Sequence, residues 1–570
     1  MKLLRIIVIL ICLAVLLGAA WLWWSWPGKV DMAAYAPADS LVYLEFNSLT
    51  DIANAIQQND TWRALGPPLG NKAAFDSHWW QAIARAGIGP TDNVVFTRAQ
   101  VAVVVTGLNS VEEAETLRVR PDAALIIETQ TNHWRLKSAA INAVKRLATF
   151  AYGQALCTEH TADADFVECA SPQTDRKIVA AIDGSVVIIT NSDTAVRNCL
   201  EVRRGLRPSL QSDAELQKVR RNLRNNQSLA FGYVSSTNSA RLFSWAAPML
   251  IGKAPGDQQL EQVLTSSATK ILRGIAWSSE SASGGIEDRY LFSLEPAVVA
   301  RLGPAFQTGN AADEFWKLVP DSSQSLTIYR SQNPQTAWNA LDQAVAYKLD
   351  ALSAIVFSSL LKSGLAVYGV ENPKDLLTTL SSPLVTVRPN AGAEGSVFIG
   401  HILNQEQLRH TLTQQIASGG HGQILEGTKI DPDLKKELTA VIVDDYLVLG
   451  KTENVQACLN AIRRGEVANA TASQKQISHF APQSNAPILT YANDEKRLSS
   501  FVSVVSLLRP APLSQAESEK LKNVIKNSSF SATETNLAAN GIERKTRSAF
   551  GQFSTLLSLL QQDTATNMLR

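Results

Sequence analysis

Cys199-Leu200-Glu201-Val202-Arg203-Arg204-Gly205 returns as Cys458-Leu459-Asn460-Ala461-Ile462-Arg463-Arg464-Gly465, and Gly285-Ile286-Glu287 returns as Gly541-Ile542-Glu543. Self-similarity at a fixed period decides architecture before any local pattern does. Working outward, Arg241-Leu242 returns as Arg497-Leu498, and Gly153-Gln154-Ala155-Leu156 as Gly422-Gln423-Ile424-Leu425. Ala36-Pro37-Ala38-Asp39-Ser40 returns as Val319-Pro320-Asp321-Ser322-Ser323. The five matches keep their order while the offset shrinks from 283 to 256, as small deletions in one copy of a duplication would make it. The reading is two tandem copies, residues 34–312 and 318–562.

Each copy opens on a strand. In the first, Val42, Leu44 and Phe46 alternate with Tyr43 and Glu45. Helical stretches follow, which Gly66-Pro67-Pro68 is expected to break. Val101–Val105 and Ala123–Ile127 read as strands. A helix with Ile141, Val144, Leu147, Ala148 and Ala151 on one stripe comes next, with Leu408, Leu412 and Ile416 as its counterpart. Both are expected to lead through a glycine into a hairpin. Val186–Thr190 and Tyr446–Leu449 are short strands running into the cysteine-bearing helices. Each copy closes on a hairpin, at Gly284-Gly285 or Asn540-Gly541. Strands and helices alternate without a βαβ rhythm, so the expected class is α+β: mainly antiparallel sheets with packed helices.

The chain has 570 residues, 53 basic and 52 acidic, for a net charge of +1. That balance offers no field for nucleic acid. Hydrophobic residues make up 45%, enough for real cores and against disorder. Ile6 to Trp26 carries no charge over 21 residues, long enough to cross a bilayer as a helix. Lys2 and Arg5 precede it, so residues 1–5 are expected in the cytoplasm and the body outside, with Trp21, Trp23, Trp24 and Trp26 at the outer interface. A cleaved signal peptide is the competing reading, but the apolar run continues past Gly18-Ala19-Ala20. The expectation is a single-pass protein of a bacterial inner membrane with a periplasmic body.

The anchor, the Pro37-Ala38-Asp39-Ser40 opening, the Trp-containing first helix and the strand–Cys–Arg-Arg-Gly segment resemble domain of unknown function family 3352. That resemblance implies a bacterial extracytoplasmic protein and brings no catalytic residues with it.

Cys157 and Cys169 bracket the place where copy one is longer: 29 residues lie between Gly153 and Asp183, against 21 between Gly422 and Asp444. An oxidising compartment allows them to form a disulfide. Metal ligation would want four clustered ligands, and only His160 stands ready to join them. Cys199 and Cys458, at matching positions, read as small buried apolar residues. Glu159, His160, Asp163, Asp165 and Glu168 make a cation site conceivable, with a solvated hairpin tip as the plainer account. Arg203, Arg204 and Arg207, then Lys218, Arg220, Arg221 and Arg224, read as solvated helix faces or as a surface for anionic lipid or an acidic partner. Trp62 and His78-Trp79-Trp80 read as packing in the first helical hairpin. No motif spacing for a catalytic serine, a phosphate loop or a histidine metal site occurs.

No catalytic, cofactor-binding or metal residues are therefore assigned. The first functional reading is a non-catalytic interaction or scaffold module of the cell envelope, bound to the inner membrane by its helix and to an envelope protein. The alternative is a binding module for a lipid or other apolar ligand in a groove within or between the copies, which requires a cavity of several hundred Å3. A hydrolase is the third, and requires a nucleophile–base pair in a cleft.

Overall fold

The structure is a computed structural model. It describes residues 29–555 apart from 70–98, 243–265, 351–357, 428–436, 464–483 and a few shorter breaks. The expected anchor at 6–26 lies outside the described residues, as do His78, Trp79 and Trp80. Among the described residues no helix is long and apolar enough to cross a membrane.

The chain begins with β1 (Val42–Phe46), α1 (Leu49–Gln58) and α2 (Asp60–Leu69). β1 alternates as its pattern demands, and the buried face is that of Tyr43 and Glu45. Gly66-Pro67-Pro68 does not break α2, because these residues form its last turn. Two compact units follow from the contacts: one gathers residues 1–40, 45–49 and 84–213, the other 41–44, 50–83 and 214–570.

The first unit contains β2 (Gln100–Glu113), β3 (Thr116–Glu128), α3 (His133–Tyr152), β4 (Leu156–Thr161), β5 (Asp165–Ala170), β6 (Lys177–Asp183), β7 (Val186–Thr190) and α4 (Asp193–Arg203). The strands join in the order β2-β3-β7-β6-β5-β4, every pair antiparallel. Val144 and Ala148 of α3 pack on Val167, Cys169 and Ala180, and Leu136, Ala139 and Ala140 on Ile182 and Val187. The buried stripe thus runs Leu136–Ala140–Val144–Ala148. Leu147 and Ala151, expected on it, are exposed.

The second unit continues with α5 (Ala214–Leu223), β8 (Ser228–Ser235), β9 (Leu272–Ala282), β10 (Gly285–Leu294), α6 (Pro296–Leu302), β11 (Ser325–Tyr329) and α7 (Pro334–Val345). Then come α8 (Pro373–Thr378), β12 (Leu380–Arg388), β13 (Val397–Ile402), α9 (Gln405–Leu412), β14 (Gly422–Glu426), β15 (Leu438–Val443), β16 (Tyr446–Lys451) and α10 (Thr452–Arg463). The last elements are β17 (Ile488–Asn493), α11 (Glu495–Leu507), α12 (Gln515–Ser528), β18 (Phe530–Ala538) and β19 (Gly541–Ser548). The strand order is β8-β9-β10-β19-β18-β17-β11-β12-β13-β16-β15-β14, antiparallel at every step but the last.

That last step corrects the expected second hairpin. β14 lies parallel to β15, so Gly422 opens an edge strand and no hairpin forms. In the first unit, β5 fills the corresponding place between β4 and β6.

The central strands of the second unit are covered on both faces. Val385, Val397, Ile399, Val441 and Val448 enter one core, and Leu384, Phe398, Ala440, Ile442 and Leu447 the other. Successive side chains point to opposite faces. Burial on both sides is why Ala440–Val443 and Leu447–Leu449 read as unbroken apolar runs instead of alternating ones.

Candidate functional site: an apolar cavity

Six segments distant in sequence converge on one cavity in the second unit. Asn333 caps α7, its side chain accepting from the Thr336 backbone N–H at 2.8 Å, and Pro334 takes the first helical position, where no N–H is needed. The helix then presents Pro334, Ala337, Trp338 and Leu341 at one-turn spacing to the cavity. Strand alternation contributes Leu384 and Thr386 from β12 and Phe398 from β13. Tyr329 ends β11 at the wall, and Leu361, Leu365 and Tyr368 close another side. Phe306, beyond α6, and Ile488, at the start of β17, complete it.

The cavity is partly open to solvent, and its volume is about 500 Å3. Among the described residues its walls hold mainly aromatic and aliphatic side chains, their polar side-chain groups are hydroxyls and the Trp338 indole N–H, and no Asp, Glu, Lys, Arg or His lines it. Tyr368 Oη and Ser396 Oγ satisfy each other at 2.5 Å. Burial pushes the Tyr368 phenol above its ordinary range, so it stays a neutral hydroxyl at any physiological pH. Tyr329 is 37% exposed and marks the mouth. Such a cavity excludes charge and rewards apolar surface, with a few hydroxyls to orient what enters.

The residues singled out in sequence sit elsewhere. Cys157 and Cys169 are directly opposed on β4 and β5, with sulfurs 2.07 Å apart and Cα atoms 4.1 Å apart, a little closer than the usual range for a disulfide. Cys199 and Cys458 are fully buried free thiols, pushed up to about 12 by burial.

The acidic cluster does not converge; each carboxylate has a basic partner instead. Asp165 receives Lys137 Nζ at 2.9 Å, Thr161 Oγ1 at 2.7 Å and His133 Nε2 at 2.9 Å, and the Lys137 hydrogen bond foremost lowers its pKa to about 2. Lys145 holds Glu159 at 2.6 Å, Lys177 holds Glu168 at 3.0 Å, and Arg204 pairs with Asp163. His160 stacks on Phe166. Among the described residues no group of three or more His, Cys, Asp or Glu is placed to hold a metal ion.

The arginines are engaged as well. Arg203 binds Asp183 at 2.9 Å and Arg207 binds Asp39 at 2.7 Å. Arg220, expected on a solvated face, is 8% exposed and lies over the Phe231 ring. Its aliphatic stem packs under α5 while the guanidinium stacks, a use of arginine that helical charge spacing does not disclose. Trp62 shares a core cluster with Leu65 and Ile56 of the first hairpin, as expected, and also packs edge-on against Phe501 and Phe550, 6.3 and 6.4 Å between centroids.

Sequence reasoning also missed a contact between Ser381 and His401. Ser381 Oγ lies 2.7 Å from His401 Nδ1 across β12 and β13, and the His401 ring meets Tyr446 edge-on. Neither residue lines the cavity.

Compared with protein-family models, with curated proteins and with solved structures, the chain matches none.

Proposed function

We propose that this is a membrane-anchored extracytoplasmic protein whose body is a non-catalytic binding module for a ligand with an apolar body, such as a lipid chain. The cavity of about 500 Å3 between α7, β12 and β13 carries the reading. Its size falls in the range of small-molecule sites, and its uncharged walls match an apolar occupant. The anchor at residues 6–26, the periplasmic location and the likeness to family 3352 belong to the same proposal.

The body is read as two copies of one fold. Matching ladders support this. Ile182↔Val187 and Ala181↔Ile188 of β6–β7 correspond to Ile442↔Leu447 and Val441↔Val448 of β15–β16, all at offset 260. The turn between the two strands carries Gly184 at φ +61° in one copy and Asp444 at φ +51° in the other. In these terms Ala305 and Phe306 reach the cavity from the end of copy one and the other walls come from copy two.

The test is displacement of a fluorescent apolar probe, N-phenyl-1-naphthylamine, by fatty acids of increasing length. Saturable binding that Ala337→Trp abolishes is expected, because the indole would fill the cavity. Equal uptake by wild type and variant removes the proposal.

An interaction role is the second reading, supported by Phe150, Leu156 and Leu206, each at least 70% exposed. Co-purification of one envelope protein, lost on Phe150→Glu, is its expected signature.

A further inference from the structure

The described residues begin at Lys29, and the next one is already fixed to one end of the first unit's sheet. Val30 N–H donates to Gln100 Oε1 at 2.7 Å, and its carbonyl accepts from Gln100 Nε2 at 2.9 Å. Gln100 opens β2 opposite Glu128, which closes β3 opposite Val186, the first residue of β7. The turn after β3 is fastened to the same end. Gln130 takes φ +55°, and Thr129 N–H and Oγ1 donate to the Ser185 carbonyl at 3.0 and 2.9 Å. Trp134 follows in the first turn of α3, six residues after Glu128. It is 68% exposed, with the Arg135 guanidinium 4.9 Å from its ring centroid.

A second apolar side chain is held out at that end. Tyr35 Oη donates to Glu128 Oε2 at 2.9 Å, and Arg203 lies over the Tyr35 ring while its Nε donates to Asp183 at 2.9 Å. These contacts bring the last turn of α4 here. Gly205, at φ +72°, closes the helix, and Leu206 N–H donates to the Glu201 carbonyl at 2.9 Å. Such a cap commonly lays the residue after the glycine on an apolar side chain of the last turn, yet Leu206 is 76% exposed. Glu466 follows the matching Arg463-Arg464-Gly465, so nothing in the Arg-Arg-Gly pattern demands a leucine. The arginines around it pair within the unit: Arg203 with Asp183, Arg204 with Asp163, Arg207 with Asp39. What this end offers outward is an indole and a leucine, and an indole suits the boundary between lipid headgroups and acyl chains, where its ring is apolar and its N–H is wet.

The tether names the occupant. Trp26 closes the uncharged run read as the anchor, and Val30 comes four residues later. Fully extended, those four residues reach about 14 Å. The end of the sheet that carries Trp134 is therefore held beside the bilayer, whereas Phe150 stands about 24 Å further along α3 at 1.5 Å per residue. We infer that this end of the first unit docks on the outer face of the membrane that holds the anchor, with Trp134 and Leu206 seated among the lipid headgroups. The inference rests on the anchor reading and adds an orientation to it: Phe150 and Leu156, exposed at the other end of α3, face away from the bilayer.

The test uses the full-length protein in nanodiscs of phosphatidylethanolamine and phosphatidylglycerol doped with a lipid that carries a nitroxide on its headgroup. In a Cys12→Ser background only an introduced cysteine labels, since the others are bridged or buried. A fluorophore on Ser138→Cys, one turn from Trp134, should lose most of its emission to the nitroxide. The same label on Thr149→Cys, about 16 Å further along the helix, should keep it. Equal quenching at the two sites, or none at Ser138→Cys, overturns the inference. A Gly-Ser linker of about twenty residues inserted after Gly28 removes the constraint of the short tether. Quenching at Ser138→Cys should survive the linker, and Trp134→Ser with Leu206→Ser should then abolish it. Loss on adding the linker alone, or persistence in the doubly substituted protein, overturns docking by these side chains. A blue-shifted but unquenched label would mean that protein covers this end, which overturns it as well. Full-length protein that does not enter the nanodiscs refutes the anchor itself, and the inference falls with it.

Discussion

Glu287 and Asp288 are neighbours on one strand and titrate in opposite directions, because successive side chains face opposite sides of the sheet. Burial opposes ionisation of Glu287, yet its hydrogen bonds from Arg547 and Arg289 and the charge of Lys545 bring its pKa below the ordinary value. Asp288 has no such company. Burial pushes it up to about 6, although Trp277 Nε1 donates to it at 2.9 Å and the Gln552 backbone N–H at 3.0 Å. A carboxyl whose folded pKa exceeds its unfolded value of about 3.9 binds its proton more tightly when folded. Its contribution is complete below pH 4 and is lost as the pH rises through 6. The loss is on the order of 3 kcal/mol, at about 1.4 kcal/mol per unit. Thermal melts should show wild type losing stability from pH 4 to 6.5 relative to Asp288→Asn. Parallel curves for the two proteins contradict the assignment. Neither shift was legible in the sequence, where both residues are simply acidic. Their partners arrive from β19 and from the turn after it, some 260 positions away.

At the scale of elements, the disulfide ties an edge strand to its neighbour. Cys157→Ser with Cys169→Ser should lower stability by at most about 3 kcal/mol, the loop-closure value for so short a loop, and should raise hydrogen exchange in β4 first. Exchange unchanged in β4 would show that the ladder, not the bridge, holds it. Trp62→Ala should be costlier, about 3–5 kcal/mol, since it empties the centre of a cluster shared with Phe501, Phe550 and Leu521. A loss under 1 kcal/mol in denaturant titration would place the indole outside the core. Much of this level could be read in advance. The strands at Val101–Val105, Val186–Thr190 and the Gly285 and Gly541 hairpins follow from alternation and glycine placement. The parallel placement of β14 did not, because nothing in Gly422–Glu426 sets the direction in which it meets β15. For Trp62 the sequence showed half of the packing: Leu65 and Ile56 of the first helical hairpin share its cluster, while Phe501, Phe550 and Leu521 come from the other end of the chain.

At the scale of the molecule, the sequence offers five ordered matches on which the proposed duplication rests, whereas nothing in it announces the cavity. Its walls come from residues 305–306, 329–341, 361–368, 377–386, 396–398 and 487–488, which no local spacing connects. Topology is the first expectation to check: a reporter that fluoresces only in the cytoplasm, fused after Arg570, should stay dark, and bright cells would reverse the orientation. The ligand-binding claim is tested most directly by native mass spectrometry of full-length protein purified from the cells that produce it. Wild type should carry a bound species of a few hundred daltons that is absent from Ala337→Trp and returns to delipidated wild type on adding fatty acid. Identical bare masses for both proteins, with no uptake by either, would contradict the account.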